Sequence, residues 1–157
     1  GEPTEIDLTP VVVDSVVLVS RSSSDSGYFR VSRSTGELTL LDSANRDMSF
    51  GFVDTSGDSL GLFSSYPEYT SEAGFYIYPA QADTLAELTL APLEGWEEGP
   101  APRFFYAYVD ECLATGEGWS ALDLYGKAKV LERKGDTLLL RFEWQTKVLG
   151  LRWLVGF

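Results

Sequence analysis

Apolar residues recur at every second position in the C-terminal part of the chain, first over residues 138–144 and again over residues 149–157. Successive side chains of a β-strand point to opposite faces, whereas a helix would spread these residues around its circumference. Thr146 and Lys147 lie between the two runs, where a tight antiparallel connection is expected. We therefore predict a C-terminal β-hairpin whose inward face carries Trp144 and Trp153.

Other segments carry similar strand patterns. Pro10–Ser20 is apolar on both faces, which predicts a central strand buried between layers. Two hairpins are predicted where glycine-containing turns separate short runs, one around residues 33–36 and one around residues 54–58. Four more strands are predicted over Gly74–Tyr78, Leu85–Ala91, Arg103–Val109 and Tyr125–Arg133. We expect about nine or ten strands in all.

Hairpins joined in series imply antiparallel pairing, and the spacing between strands is too short for crossover helices. The predicted fold class is therefore all-β, either an antiparallel up-and-down barrel of lipocalin-like size or a two-sheet β-sandwich. A chain of 157 residues is long enough for one domain with its own core. We predict a flexible lead-in over residues 1–9 and a single all-β domain over residues 10–157.

Charge is unevenly distributed along the chain. There are 24 acidic and 12 basic residues, a formal net charge of −12 that repels phosphate backbones and argues against nucleic-acid binding. Residues 127–157 depart from this balance, with 7 Lys or Arg against 3 Asp or Glu. This basic part is expected to pair with acidic groups of its own sheet; the alternative is a basic rim for an acidic ligand.

Several kinds of reactive site are excluded by composition. The chain has no histidine and one cysteine, Cys112, so a Cys–His nucleophile, a serine triad and histidine-based zinc sites are excluded. No glycine-rich phosphate loop occurs, and no apolar run approaches the length of a transmembrane helix. We predict no cofactor and no transmembrane segment.

Carboxylates give two weak hypotheses. Asp54 and Asp58 flank a hydroxyl in the second hairpin loop, but the full ligand set of a calcium loop is missing, so a turn is favoured over a metal site. A glycoside hydrolase needs two carboxylates across a cleft. Its candidates are Asp110, Glu111, Glu117 and Asp123.

Aromatic residues give the best lead to a ligand site. Trp96 lies in a loop of prolines, glycines and glutamates at residues 92–102, where no core periodicity explains it, so we expect it to be exposed. Core packing is the competing explanation for the aromatic residues that follow in the sequence. The predicted ligand-binding residues are Trp96, Arg103, Tyr106, Tyr108, Trp119 and Tyr125.

Three functions follow from these patterns. The first is a non-enzymatic binding module for a small apolar or glycan ligand, and the second is a structural or protein-interaction domain using the 92–102 loop. The third, a carboxylate-based hydrolase, has the least support. The polar, proline-containing start Gly1–Glu5 fits the tether of an exported bacterial lipoprotein, so we expect an extracytoplasmic location: periplasmic, secreted or lipid-anchored.

Overall fold

A computed structural model describes residues 6–23, 27–41, 51–64, 74–110 and 122–156. Ten strands lie within these residues, and every pairing between them is antiparallel. In chain order they are β1 (Val11–Val19), β2 (Tyr28–Val31), β3 (Leu38–Leu41), β4 (Gly51–Ser56), β5 (Ser59–Phe63), β6 (Gly74–Ala80), β7 (Gly99–Pro100), β8 (Phe104–Asp110), β9 (Leu124–Lys134) and β10 (Thr137–Trp144).

The strands form two five-stranded sheets that share one apolar core. The first sheet has the order β1-β10-β9-β8-β6 and the second the order β3-β2-β4-β5-β7. Buried side chains from both sheets form a single cluster, to which the second sheet contributes Phe29, Val53 and Leu62. The all-β prediction and its sandwich alternative are confirmed, and the barrel alternative is wrong. The sequence pattern did not distinguish them, because inward and outward residues alternate along the strands of a barrel and of a sandwich alike. Here each sheet ends in its own outer strands and does not close into a barrel.

Strand β10 lies near the middle of the first sheet, and its inward residues are buried at every second position. Trp144 at its end is fully buried between two glycines. A Cβ atom at Gly126 would lie 2.4 Å from the indole, and one at Gly36 would lie 2.6 Å from it. The indole therefore occupies space that only glycine leaves open at both positions.

The two predicted hairpins are present. β2 pairs with β3 through a turn in which Gly36 has a φ of 72°, the left-handed conformation expected there. β4 pairs with β5, but the turn is shorter than predicted, because β4 continues to Ser56 and only Gly57 and Asp58 form the turn. Asp54 therefore lies in a strand and not in a loop.

The prediction of a central, doubly buried first strand is wrong. β1 is an outer strand of the first sheet as described, and Val12 and Val17 are about half exposed. A bulge shifts its register between Val13 and Val16, and Ser15 has a φ of 55°. The extra residue reverses which valines face inward, so that Val17 points outward.

The predicted C-terminal hairpin is also wrong. β10 pairs with β1 and β9, and residues 149–156 form no strand of either sheet. They run in an extended conformation beside residues 89–91, with backbone bonds from Ala91 to Arg152 and from Leu154 to Thr89. Trp153 is consequently 38% exposed and is not part of the core.

Residues 85–91 differ from the predicted strand as well. Leu85–Glu87 is a 3₁₀ turn, stabilised because the Glu87 carboxylate accepts the backbone N–H groups of Asp83 and Thr84, each at 2.7 Å. At the N-terminus, the Leu8 carbonyl accepts a hydrogen bond from Gln145, while residues 1–5 lie outside the described residues. The predicted lead-in and the single-domain assignment therefore stay predictions.

Candidate functional site

The polar side chains and the tyrosines of the first sheet face away from the second sheet, whereas Phe75, Phe105, Phe142 and Trp144 face the shared core. We call the side away from the second sheet the outer face. Strand register arranges its side chains in rows that cross the sheet. One row is Phe104, Lys129 and Arg141, the next is Tyr106, Lys127 and Glu143, and a third contains Tyr108 and Tyr125. The outer face thus has a charged end and an aromatic end.

The aromatic end brings together four of the predicted ligand-binding residues. The Trp96 ring lies 5.3 Å from the Tyr108 ring and 6.0 Å from the Tyr125 ring, and the two tyrosine rings stack at 5.0 Å. Tyr106 packs against the same group, which Ala91 and Leu154 cover. We call this set the aromatic cluster.

The aromatic cluster is a second small core and not an open stacking platform. Tyr108 and Tyr125 are buried, and Trp96, which was expected to be exposed, is half-buried. Burial explains why a tryptophan without strand periodicity is present in this loop, since it covers the outward tyrosines of the sheet. Core packing was the competing explanation for these residues, and the observed burial agrees with it.

The remaining predicted site residues are not part of this cluster. Arg103 lies at the far end of β8, about five residues or ~17 Å of strand from Tyr108. Its guanidinium lies 5.5 Å from the centre of the Phe104 ring. Trp119 lies outside the described residues, as do the hydrolase candidates Glu111 and Glu117 and the cysteine Cys112.

Two carboxylates lie beside the aromatic cluster. Asp110 and Asp123 are 3% and 0% exposed, and each adjoins one member of the last residue pair of β8 and β9, Val109 and Leu124. The Tyr108 hydroxyl donates a hydrogen bond of 2.9 Å to Asp123. Burial, followed by the two carboxylates, raises the pKa of Tyr108, and the same effects raise the pKa of Tyr125 to about 12. Both tyrosines are therefore neutral hydrogen-bonding groups at physiological pH.

Asp54, one of the two weak metal candidates, is paired with arginine. Its carboxylate accepts a 2.9 Å hydrogen bond from Arg21, and Asp58 lies in the exposed turn beyond the end of the strand. Across the part of the chain that the structure describes, no group of three potential metal ligands is found. The Asp54 carboxylate is therefore engaged by Arg21 in this structure.

The charged end of the outer face contains an open groove of about 550 Å³. Its floor is formed by Lys127, Lys129, Leu131, Arg141 and Glu143. Residues 83–86 form one wall, and residues 154–156 with residues 9–10 form the other. This volume lies within the range of small-molecule sites in proteins, roughly 300–1,000 Å³.

Lys127 and Gln145 hold the walls of the groove in place. The buried Lys127 ammonium donates hydrogen bonds to the carbonyls of Leu85 and Leu88 at 2.8 and 2.9 Å. Burial lowers the pKa of Lys127, and Glu143 opposite it partly offsets this effect. The buried Gln145 amide donates to the carbonyls of Leu8 and Trp153 at 2.8 and 2.9 Å. These hydrogen bonds satisfy backbone carbonyls of the irregular segments that form the walls. The walls are therefore held in place without a ligand, and the groove is pre-formed.

The groove was not predicted residue by residue. The excess of basic residues over positions 127–157 was the one signal that pointed to it, through the alternative of a basic rim for an acidic ligand. The walls come from residues 83–86, where a strand was predicted only from Leu85 onward, and from residues 154–156, which were predicted to belong to the C-terminal hairpin. An alternating pattern does not specify which segment a strand packs against, so the sequence does not reveal where these walls lie.

Comparison with known proteins gives no further guide: no family model matches the chain, and neither a curated protein nor a solved structure matches it. Among the described residues, none of the helical segments has the length and apolar character needed to cross a membrane. We therefore infer function from the geometry of the outer face.

Proposed function

We propose that this protein is a non-enzymatic, extracytoplasmic binding module that holds a small ligand in the groove on the outer face. The observation that carries the proposal is a pre-formed cavity of about 550 Å³ whose walls are fixed by buried polar side chains. Apolar residues from floor and walls, Leu131, Leu154 and Val155 among them, line it together with charged ones. This mixture is typical of small-molecule sites.

The ligand is assigned to the groove and not to the aromatic cluster, where our sequence prediction had it. The rings of Tyr108 and Tyr125 are covered by Ala91 and Leu154, so a ligand would have to displace part of the fold to stack on them. The groove needs no such rearrangement. An apolar or glycan ligand remains the proposed class, and the extracytoplasmic location rests on the composition of residues 1–5.

A variant that fills the groove tests this proposal. A panel of fatty acids, lipids and oligosaccharides is screened by thermal shift and by amide NMR spectra. Leu131→Trp places a large side chain on the floor of the groove, and Val17→Trp is the matched control, since Val17 is also an exposed outward residue of the same sheet. We expect a panel member to bind wild-type protein and Val17→Trp, with at least about tenfold weaker binding to Leu131→Trp. The absence of any binding to wild-type protein would refute the proposal.

A protein-interaction domain is the second candidate, because apolar residues are exposed at and near the start of the predicted 92–102 loop. The structure shortens that loop, since Gly99–Pro100 form strand β7 and pair with β5. Leu93 is 74% exposed, and Leu90 and Trp153, which face each other across a β-bridge, are both more than one-third exposed. Exposed apolar residues concentrated in one part of the fold are typical of a contact surface. Leu93→Ser with Trp153→Ser should abolish capture of a partner, with Leu122→Ser as the exposed control. If the double variant retained the partner, the patch would have no role in binding.

A further inference from the structure

Two cationic side chains lie directly opposite each other on the floor of the groove. Lys129 of β9 is paired in register with Arg141 of β10, and both point to the outer face. Opposite positions on neighbouring antiparallel strands bring Cβ atoms within about 4.5–5.5 Å, where like charges destabilise the sheet. A protein with a net charge of −12 has many acidic residues available to avoid such a pair.

Among the described residues, only one long ion pair offsets the charge of these two cations. Arg141 has Asp14 at 3.8 Å, a distance beyond hydrogen bonding, between two side chains that are both exposed. No ion pair involves Lys129 among the described residues; its ammonium lies 5.6 Å from the centre of the Phe104 ring. Donor groups of both residues therefore remain available to a ligand.

The other charged residues of the groove reduce this positive charge without removing it: the lining has three basic residues against the two carboxylates of Asp83 and Glu143. Lys127 faces Glu143 in the next row, and its ammonium is already bound to two backbone carbonyls. Asp83 lies in the wall and is exposed to solvent. The floor thus has a local excess of positive charge at the Lys129–Arg141 pair, surrounded by an acidic protein that would repel any large polyanion.

Apolar surface adjoins the cationic pair. Leu131 follows Lys129 on the same face of β9, and Leu85 and Val155 come from the two walls. A ligand that satisfies both parts of the groove needs a compact anionic head and an apolar body. Arginine and lysine together suit a carboxylate or a phosphate head, since each can donate charge-assisted hydrogen bonds to it.

On the basis of the proposed function, we infer that the groove binds a small amphiphilic anion, with its carboxylate or phosphate head between Lys129 and Arg141 and its apolar body over Leu131. This assigns a ligand class to the groove and a specificity-determining role to two residues. In the free protein, solvent screening and the long ion pair of Arg141 with Asp14 reduce the repulsion between the two cations. A bound anion would neutralise what remains of it.

Four probes distinguish the contribution of the anionic head of the ligand from that of its apolar body: octanoate, octyl phosphate, 1-octanol and inorganic phosphate. Each is titrated into the full chain below its micelle concentration, and binding is followed by calorimetry and amide NMR. We expect octanoate or octyl phosphate to bind in the groove, and whichever of the two binds more tightly identifies the head group. The inference also requires octanol and inorganic phosphate to bind at least about tenfold more weakly.

Charge variants then test the two cations. Lys129→Gln and Arg141→Gln should each weaken binding of the tighter anion about tenfold, and Lys129→Arg should restore most of the affinity. Lys134→Gln removes the same charge from an exposed position outside the groove and should leave binding unchanged. Unchanged amide spectra away from the groove verify that each variant is folded.

The outcomes separate this inference from the function on which it rests. Octanol binding in the groove as tightly as octanoate would overturn the anionic ligand and leave a binding module in place. An equal loss of affinity in Lys134→Gln and Lys129→Gln would also overturn it, because the effect would then be long-range charge. If no probe and no member of the wider panel binds, the binding module itself is refuted.

Discussion

Replacing Lys129 by glutamate should stabilise the fold while removing anion binding. The substitution converts a like-charge pair with Arg141 into an opposite-charge pair at directly opposed positions of β9 and β10. An ordinary surface lysine in a protein of net charge −12 would behave in the opposite way, since a further acidic residue adds to the general repulsion. A gain in stability is therefore specific to the local pairing.

The size of the gain follows from the contacts of Lys129. A cross-strand ion pair contributes about 0.2–1 kcal/mol, and relief of the repulsion adds a similar amount. Solvent screening reduces both, because the Arg141 side chain is partly exposed. The substitution also removes the cation–π contact with Phe104 at 5.6 Å, a loss of about 0.5 kcal/mol. The net expectation is a gain of ~0.5 kcal/mol, or a rise in Tm of about 1–2 °C.

Urea unfolding followed by tryptophan fluorescence measures this difference. Lys129→Gln should fall between wild type and Lys129→Glu, and the whole difference should shrink in about 1 M NaCl, where the screening length falls to about 3 Å. Lys134→Glu is the control, because its partner across the strands is the uncharged Thr137. The reasoning is refuted if Lys129→Glu destabilises the protein as Lys134→Glu does, or if its effect is independent of salt.

Three further predictions concern the core and the aromatic cluster. Gly126→Ala should lower the free energy of unfolding by about 1–3 kcal/mol, because the added Cβ would overlap the Trp144 indole. Urea unfolding should show a smaller decrease when the same substitution is made in a Trp144→Leu background. Tyr108→Phe should cost about 1.5–3 kcal/mol in the same assay, because buried Asp123 loses its hydroxyl donor; no loss would show that this bond is dispensable. Wild-type stability should fall between pH 10 and 12, because Tyr125 ionises near pH 10 when unfolded and only near 12 when folded. Tyr125→Phe should remove about 2 kcal/mol of that fall, and an unchanged pH profile would contradict the raised pKa.

The strands that face water on one side were predictable, because burial on the other side imposes a period of two. β10 buries every second residue as its sequence pattern indicates, and β9 extends by only one residue at each end beyond the predicted Tyr125–Arg133. The turn at Gly36 was likewise encoded locally, by a residue that adopts positive φ without strain. In these places local preference and tertiary packing agree.

Where the prediction failed, the deciding interaction was not local. The bulge of β1 at Ser15 reverses the inward set of valines, and no turn-forming glycine marks it. Residues 149–156 alternate as a strand does, but β1 and β9 already occupy both edges of β10, so this segment covers the outer face instead. An alternating pattern specifies which residues prefer burial and leaves the pairing partner open.

The candidate site was half predictable for the same reason. Trp96, Tyr106, Tyr108 and Tyr125 do come together, because strand register groups the outward tyrosines and a large aromatic ring is needed to cover them. The groove depends on Lys127 and Gln145, whose buried side chains hold backbone segments distant in sequence. Such contacts join residues up to 137 positions apart and leave no mark in a short window.

The most direct test is to titrate octanoate and octyl phosphate into the full chain and to follow the chemical-shift changes of the assigned amide NMR spectrum. This measurement shows where the protein binds a ligand and which kind of ligand it binds. Our account predicts that the larger shift changes fall on Lys129, Leu131, Arg141 and Val155, with little change at Tyr108 and Tyr125, and that octanol leaves the same amides largely unmoved. Shift changes concentrated on the tyrosines, or an equal response to octanol, would contradict it.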